Sequence, residues 1–340
     1  LQTPFRGLAE AFGYDGSSPN SKLETRNAKK IPNPTAMTST SPWLTRLSHV
    51  ARDIKLAHSV FALPFAVLGL LLAAGSVQRR PSFSETGLVV LCMVLARTMA
   101  MTVNRWADAR LDAANPRTQG RAVPGGQVSR PFMAGVALLC AALFVAAAAL
   151  FWFIHHNPWP VILAPLVAAW LAGYSFTKRF TWLCHVFLGT ALALSPVAAA
   201  LAVHPPFLAQ ADVWLLAGMV TGWVAGFDVI YALQDVDFDR GAGLHSMPAN
   251  LGVQPALWIS RVLHAAALTC LIALQWISPQ LGPLFGVGVV LVAGLLILEH
   301  ALVWKSRTHH LNLAFFTVNG VISVLLGALG ATDVVRSIPH

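Results

Sequence analysis

Nine apolar runs alternate with short polar loops along the chain, at about residues 58–76, 85–106, 131–154, 158–174, 181–203, 212–234, 256–276, 282–304 and 311–330. Each approaches the roughly 20 residues a helix needs to cross the hydrocarbon core of a bilayer. The fourth is short and carries Pro158, Pro160 and Pro165, so its ends are the least marked. A backbone in lipid must satisfy its own hydrogen bonds, and apolar runs of this length do so as helices. The pattern predicts an all-α, polytopic membrane protein with nine transmembrane helices.

The chain ahead of these runs is of another kind. Residues 1–45 are polar, rich in Pro, Ser, Asn and Thr, and lack sustained periodicity, which predicts a disordered leader. A transmembrane domain is expected over 46–335. Met37 opens a plausible translation start, which would make residues 1–36 an upstream leader or artefact. They contain no apolar core of a secretory signal. Residues 43–57 then place Trp43, Leu44, Leu47, Val50, Ile54 and Ala57 at helical spacing, with Arg46, Arg52, Asp53 and Lys55 between them. That is the pattern of a helix lying in the membrane interface.

Composition agrees. The 340 residues are 56% hydrophobic and 11% charged, against about 25% charged in a soluble domain. The net charge of +9 does not point to nucleic acid, because the Lys and Arg residues sit in short loops between apolar runs. There they orient a membrane protein. Arg46, Arg52, Lys55, Arg105, Arg110, Arg117, Arg121, Arg130, Lys178, Arg179, Arg240, Lys305 and Arg307 fall on one side, and only Arg79, Arg80 and Arg336 on the other. The basic side is expected to be cytoplasmic, in an inner membrane. Cys92, Cys140, Cys184 and Cys270 lie inside apolar runs with no paired spacing, which speaks against a disulfide framework or a zinc site.

The acidic residues change the picture most. Six of the fourteen are Asp108, Asp112, Asp228, Asp235, Asp237 and Asp239, in two short stretches at the ends of the second and sixth runs. Both stretches open loops on the basic side, a weak internal symmetry suggesting an old duplication. Carboxylates are costly at membrane depth, so this clustering asks for a functional cause.

In the first stretch, Asn104, Asp108 and Asp112 are four residues apart and would share one helical face. One amide and two carboxylates are hard oxygen ligands suited to Mg²⁺. Arg117 and Arg121 follow in a Pro- and Gly-bounded loop and are suited to phosphate or carboxylate. Acids for a metal followed by arginines for an anion make a diphosphate site. The plainer alternative is a solvated helix end with ordinary charges. Arg97, deeper in the same run, needs an anionic partner or an aqueous cavity. It is either one half of a structural ion pair or an anchor for a substrate carboxylate.

In the second stretch, Asp228, Tyr231, Asp235 and Asp239 are spaced to share a helical face, while Asp237 falls off it and is not expected to be a ligand. Asp228 lies deepest; its alternative role is a hydrogen-bonded structural acid. Tyr231 is equally a packing residue with its hydroxyl satisfied. Gly241 and Gly243 end the helix, and His245 follows in the loop. Lys178 and Arg179, after the fourth run, would either contact the diphosphate or merely mark orientation. Glu299 is a lone acid in the eighth run, expected to pair with a polar neighbour. His155, His156, His309 and His310 have no third ligand in reach and are assigned no metal.

On these residues the sequence resembles the UbiA superfamily of intramembrane aromatic prenyltransferases. The family's NxxxDxxxD and RTxxR patterns match Asn104, Asp108, Asp112, Arg117-Thr118 and Arg121. Its DxxYAxxDxxxDxxxG pattern matches Asp228, Tyr231-Ala232, Asp235, Asp239 and Gly243, and its YxxxKR element matches Tyr174, Lys178 and Arg179. The resemblance runs from about residue 45 to the C-terminus. It implies nine helices around a central cavity, a polyprenyl diphosphate donor, Mg²⁺, an aromatic acid acceptor and an active site on the cytoplasmic side. Two magnesium ions held through Asn104, Asp108, Asp112, Asp235 and Asp239 would neutralise the leaving diphosphate, with Arg117, Arg121 and Lys178 adding positive charge. The position matching Arg97 is implicated in holding the acceptor's carboxylate. The overall pattern is like 4-hydroxybenzoate polyprenyltransferases of quinone biosynthesis. The GLHSMP loop, where that branch commonly has a lysine near the position of His245, is also like relatives proposed to prenylate a dihydroxynaphthoate for menaquinone. A membrane phosphotransferase would carry one acidic motif rather than two. A cation transporter would carry its acids at the membrane midplane beside broken helices.

Overall fold

The computed structural model describes residues 42–54, 61–305 and 317–338. The leader up to residue 41, the start of the first apolar run and the loop with His309 and His310 lie outside them. Helix α1 spans Pro42–Asp53, α2 Leu63–Gly75, α3 Phe83–Ala107, α4 Ala109–Ala114, α5 Arg130–His155, α6 Trp159–Thr177 and α7 Cys184–Val203. Then come α8 Ala211–Tyr231, α9 Val236–Gly241, α10 Met247–Leu251, α11 Val253–Ile277, α12 Pro283–Lys305 and α13 Asn319–Ser337.

Each apolar run has its helix. Among the described residues, eight helices are long and apolar enough to cross a bilayer, and α2, at 13 residues, is shorter. The described part of α2 opens on Leu63 with Pro64 in its first turn, where a missing N–H costs nothing. The last helix continues past the end of its apolar run to Ser337. Asp333 lies in that extension. Its Oδ2 accepts the Gly282 and Phe285 N–H groups at 2.9 and 2.7 Å, capping the start of α12. At the other end of the chain, α1 starts at Pro42, inside the stretch that the sequence pattern assigned to the leader.

The core runs along α8. Leu216, Val220, Trp223, Val224, Ala225 and Val229 have no exposure, and α8 packs on α7 and α11. By contrast α6 leaves Ile162, Leu166 and Trp170 exposed, as a peripheral helix facing lipid would. The inside of the bundle takes both large apolar side chains, such as Trp223, Phe65 and Phe285, and the polar Ser260, Glu299, Asn319 and Ser323. Glycine marks the closest approach of α7 and α8. A Cβ on Gly189 would lie 2.4 Å from the Thr221 carbonyl oxygen.

Alternation of the helices puts the loops after α3, α6 and α8 at one end of the bundle, here termed the site end. Helix α1 lies against that end. Val50 and Ile54 are buried with Ala122, Val128 and Met133, while Trp43, Leu44 and Leu47 stay exposed. At the far end Arg79 donates to both Glu85 oxygens, at 2.8 and 2.7 Å. These bonds hold the Arg79 guanidinium above its ordinary pKa. A cavity of about 620 Å³ opens there, lined by Arg79, Glu85, His155, Asn157 and Trp159 among others. It is remote from both acidic motifs.

Candidate active site

The first motif straddles a bend. Helix α3 ends at Ala107 and α4 begins at Ala109, with Asp108 at φ −87°, ψ 4° between them. The four-residue hydrogen bonds nevertheless continue, Asp108 N–H to Asn104 C=O at 2.9 Å and Asp112 N–H to Asp108 C=O at 2.8 Å. Asn104, Asp108 and Asp112 therefore still stack a turn apart, and the Asn104 amide donates to Asp108 Oδ2 at 3.3 Å. Asp108 and Asp112 are both buried.

Buried carboxylates need partners, and each finds a cation. Arg179 donates to Asp108 at 3.0 Å and to the Ala107 carbonyl at 2.8 Å, with Lys178 Nζ 3.6 Å from the same carboxylate. Arg121 donates to Asp112 Oδ1 at 2.7 Å. The other oxygen of Asp112 is buried without a hydrogen-bond partner. The loop is thus folded back by its own motif. Asn115 caps its turn, accepting the Arg117 N–H at 2.9 Å, and Thr118 Oγ1 donates to the Asp112 carbonyl at 3.2 Å.

The second motif does not keep the single helical face its spacing suggested. A 3₁₀ turn, Ala232–Asp235, separates α8 from α9. A 3₁₀ step turns about 120° per residue against about 100° in an α-helix, so four residues rotate the face by about 80°. Asp228, ahead of that turn on α8, points at His185 of α7, with Oδ2 2.7 Å from Nδ1. Asp235 instead meets the first loop. Arg117 holds it through Nε at 2.9 Å and through a second guanidinium nitrogen, and Asn115 donates to it at 3.0 Å. Arg117 also donates to the Tyr231 hydroxyl at 3.1 Å and lies over that ring. Burial pulls the Arg117 pKa down, but the Asp235 hydrogen bonds, Tyr231 and the Asp235 charge outweigh it and hold the guanidinium above its ordinary value. Asp239 is buried and Asp237 is exposed. Lys178 stands between the motifs, beside Asp108 and acting by its charge on both Asp235 and Asp239.

Arg97 sits within α3 with its Nε buried and without a hydrogen-bond partner. Its titratable neighbours are Tyr174 and Arg105. Glu299, far from these residues in sequence, is wholly buried and receives the Asn319 amide at 2.9 Å. The four cysteines are free thiols.

Three residues of the site escaped the sequence reading. Asn115 lay inside the first loop without a pattern of its own. Arg105 donates to Asn104 Oδ1 at 2.7 Å and lies 3.6 Å from Asp53 of α1. His185 is a polar interruption at the start of an apolar run, which is a faint signal but a visible one.

Among the described residues no three Asp, Glu, His or Cys side chains converge as a ready metal cage. The donor set still fits Mg²⁺. It is made of oxygen atoms, and Asp112 keeps a buried oxygen with no partner. Mg²⁺ asks for one or two carboxylates plus substrate phosphates rather than a full protein cage.

Comparison with known proteins gives the family and the fold. A family model described as the UbiA prenyltransferase family matches residues 62–321. The 4-hydroxybenzoate octaprenyltransferase of Shewanella piezotolerans is 29% identical over 265 residues, 78% of this chain and 88% of that protein. Its counterpart from Shewanella sediminis is 28% identical over 268 residues, 78% of this chain and 88% of that protein. Among solved structures, the apo UbiA homolog from Aeropyrum pernix K1 superposes with a TM-score of 0.73 at 33% identity, over 82% of this chain and 98% of that one. A UbiA homolog from Archaeoglobus fulgidus, bound to DMAPP and Mg²⁺, shares the fold with a TM-score of 0.60 at 18% identity, over 84% and 99%.

Proposed function

This chain belongs to the UbiA prenyltransferase family, and we propose that it moves a polyprenyl group from a polyprenyl diphosphate onto the ring of an aromatic acid, 4-hydroxybenzoate, with Mg²⁺. The observation that carries the reading is the cationic seam joining the two acidic motifs, Arg117 on Asp235 and Lys178 beside Asp108. Carboxylates and cations alternate there. A magnesium-bound diphosphate can exchange with those pairs, its phosphates taking the cations and its metal the carboxylates.

Bound Mg²⁺, held by Asn104, Asp108, Asp112, Asp235 and Asp239, would supply positive charge against the leaving diphosphate. Arg117, Arg121, Lys178 and Arg179 turn from the carboxylates to the phosphate oxygens. Tyr231 keeps Arg117 aimed across the site. The allylic C1–O bond breaks, the diphosphate leaves with the bonding pair, and an allylic cation remains. The surrounding apolar helices keep water from that cation. A ring carbon beside the phenolic hydroxyl then bonds to C1, and the ring loses its proton. Arg97, buried with an unpartnered Nε, is suited to hold the acceptor's carboxylate. The site end carries the basic loops and would face the cytoplasm of an inner membrane.

A second acceptor, a dihydroxynaphthoate of menaquinone synthesis, is favoured by the Gly243–Pro248 loop with His245 in place of a lysine. Membranes containing the protein, a labelled polyprenyl diphosphate and Mg²⁺ separate the two. Label on 4-hydroxybenzoate supports the first reading, and label only on the naphthoate supports the second. Transfer to neither, with donor intact, overturns both.

A further inference from the structure

His185 is buried on α7 between three elements. Its Nε2 lies 3.2 Å from the Met247 N–H, at the start of α10. A backbone N–H can only donate, so Nε2 is the acceptor and carries the lone pair. Nδ1 then carries the proton and donates it to Asp228 Oδ2 at 2.7 Å. Both nitrogens are committed, so the ring cannot serve as a proton acceptor without breaking one bond.

The packing beneath explains how this contact arises. Gly189 lies one turn beyond His185 on α7 and lets the helix approach the Thr221 carbonyl of α8. Thr221 is about two turns before Asp228, on the same side. The glycine contact thus brings His185 and Asp228 into reach. One oxygen of Asp228 is held, and its side chain remains 22% accessible.

The loop that His185 grips is itself tied to the site. The Leu244 N–H donates to the Asp239 carbonyl at 2.8 Å, and the His245 N–H to the Lys178 carbonyl at 2.7 Å. Cys184, next to His185, lies 3.4 Å from the His245 carbonyl. Release of Met247 would loosen the loop that sets Asp239 and Lys178 together.

We propose that His185 is a positioning residue: an imidazole of fixed tautomer that aims Asp228 and pins the 244–247 loop over the second acidic motif. This rests on the prenyl-transfer reading above. Two conservative variants divide its bonds. His185→Asn places a donor near Nδ1 and keeps the Asp228 bond, whereas His185→Gln places an acceptor near Nε2 and keeps the Met247 bond. His185→Phe keeps the volume and loses both.

The test measures prenyl transfer by each variant in membranes, with saturating Mg²⁺. A hydrogen bond to a charged group contributes about 1.5–3 kcal/mol, so His185→Phe is expected to lose kcat by about ten- to a hundredfold. The KM for the prenyl diphosphate should change less than kcat, because Arg117, Arg121 and Arg179 keep contacts that involve neither His185 nor the 244–247 loop. His185→Asn should recover most of the loss. Asp228→Asn should add little to His185→Phe, since the pair acts as a unit. Wild-type kcat in His185→Phe overturns the inference, as do equal losses in the Asn and Phe variants or multiplying losses in the double variant. If His185→Phe does not fold, the Asn and Gln variants decide, and equal activity in both at the wild-type level overturns it. No transfer by the unmodified protein overturns the function reading, and this inference with it.

Discussion

Arg117 and Asp235 lie 118 positions apart and are joined by Nε at 2.9 Å and by a second guanidinium nitrogen of the same fork. This bidentate contact ties the loop of the first acidic motif to the second. It uses the same geometry with which a guanidinium holds a phosphate. Arg117→Lys keeps the charge and loses the fork. It is expected to lower kcat/KM for the prenyl diphosphate by at least about tenfold. Steady-state kinetics with varied donor check this, and an unchanged KM and kcat would refute it.

The same pair sets a pH expectation. The folded pKa of Arg117 is raised, so its contribution to stability is complete below the unfolded value and is lost only as pH rises through the folded one. That window lies in strong alkali. Arg117 therefore contributes no pH dependence between about pH 6 and 9. Arg117→Lys and the unmodified protein should give parallel pH–stability profiles there.

Asp108→Asn and Asp112→Asn remove buried charges from the first motif. Each is expected to reduce transfer by at least about a hundredfold, the order seen when a group stabilising a developing charge is removed. Asp237→Asn, at an exposed position off the cationic seam, should leave transfer within about twofold. Inactivity of Asp237→Asn would disprove its separation from the site.

Chelation should stop the reaction, and added Mg²⁺ should restore it. Ca²⁺ prefers more ligands at longer distances and is expected to restore less. Full activity in excess chelator would refute the metal's role.

Gly189→Ala would put a methyl group 2.4 Å from the Thr221 carbonyl. Overpacking of this kind costs about 1–3 kcal/mol. The variant should melt earlier in detergent and lose transfer, because α7 carries His185 away from Asp228. Gly87→Ala has no neighbour within 4 Å and serves as the comparison. Equal melting of the two would refute the close approach.

Asp333→Ala removes the cap on α12 at the far end of the bundle. Loss of an N-cap costs about 0.5–2 kcal/mol. Melting should fall while kcat and KM for the folded protein stay unchanged.

Much of this was legible in the chain itself. Apolar length determined the helices, because a backbone in lipid has few other options. The loop charges determined which ends belong together. Four-residue spacing made Asn104, Asp108 and Asp112 a set, and their backbone hydrogen bonds carry that spacing through a bend. The order of acids and arginines already suggested a diphosphate.

The tertiary structure decided the pairings. Spacing gives a face only while the helix stays α, and the 3₁₀ turn at Ala232–Asp235 divided the second set, turning Asp235 to Arg117 while Asp228, ahead of the turn, meets His185. Sequence could not show that turn, since its residues are compatible with either helix. Nor could it show most of the inner faces, because apart from scattered polar positions such as His185, Ser260 and Glu299 the runs are apolar and lipid does not select between their faces. Close approach does that work, through glycines such as Gly189 whose significance depends on the Thr221 carbonyl of another helix. His185 became part of the site only because that contact brought α7 and α8 together.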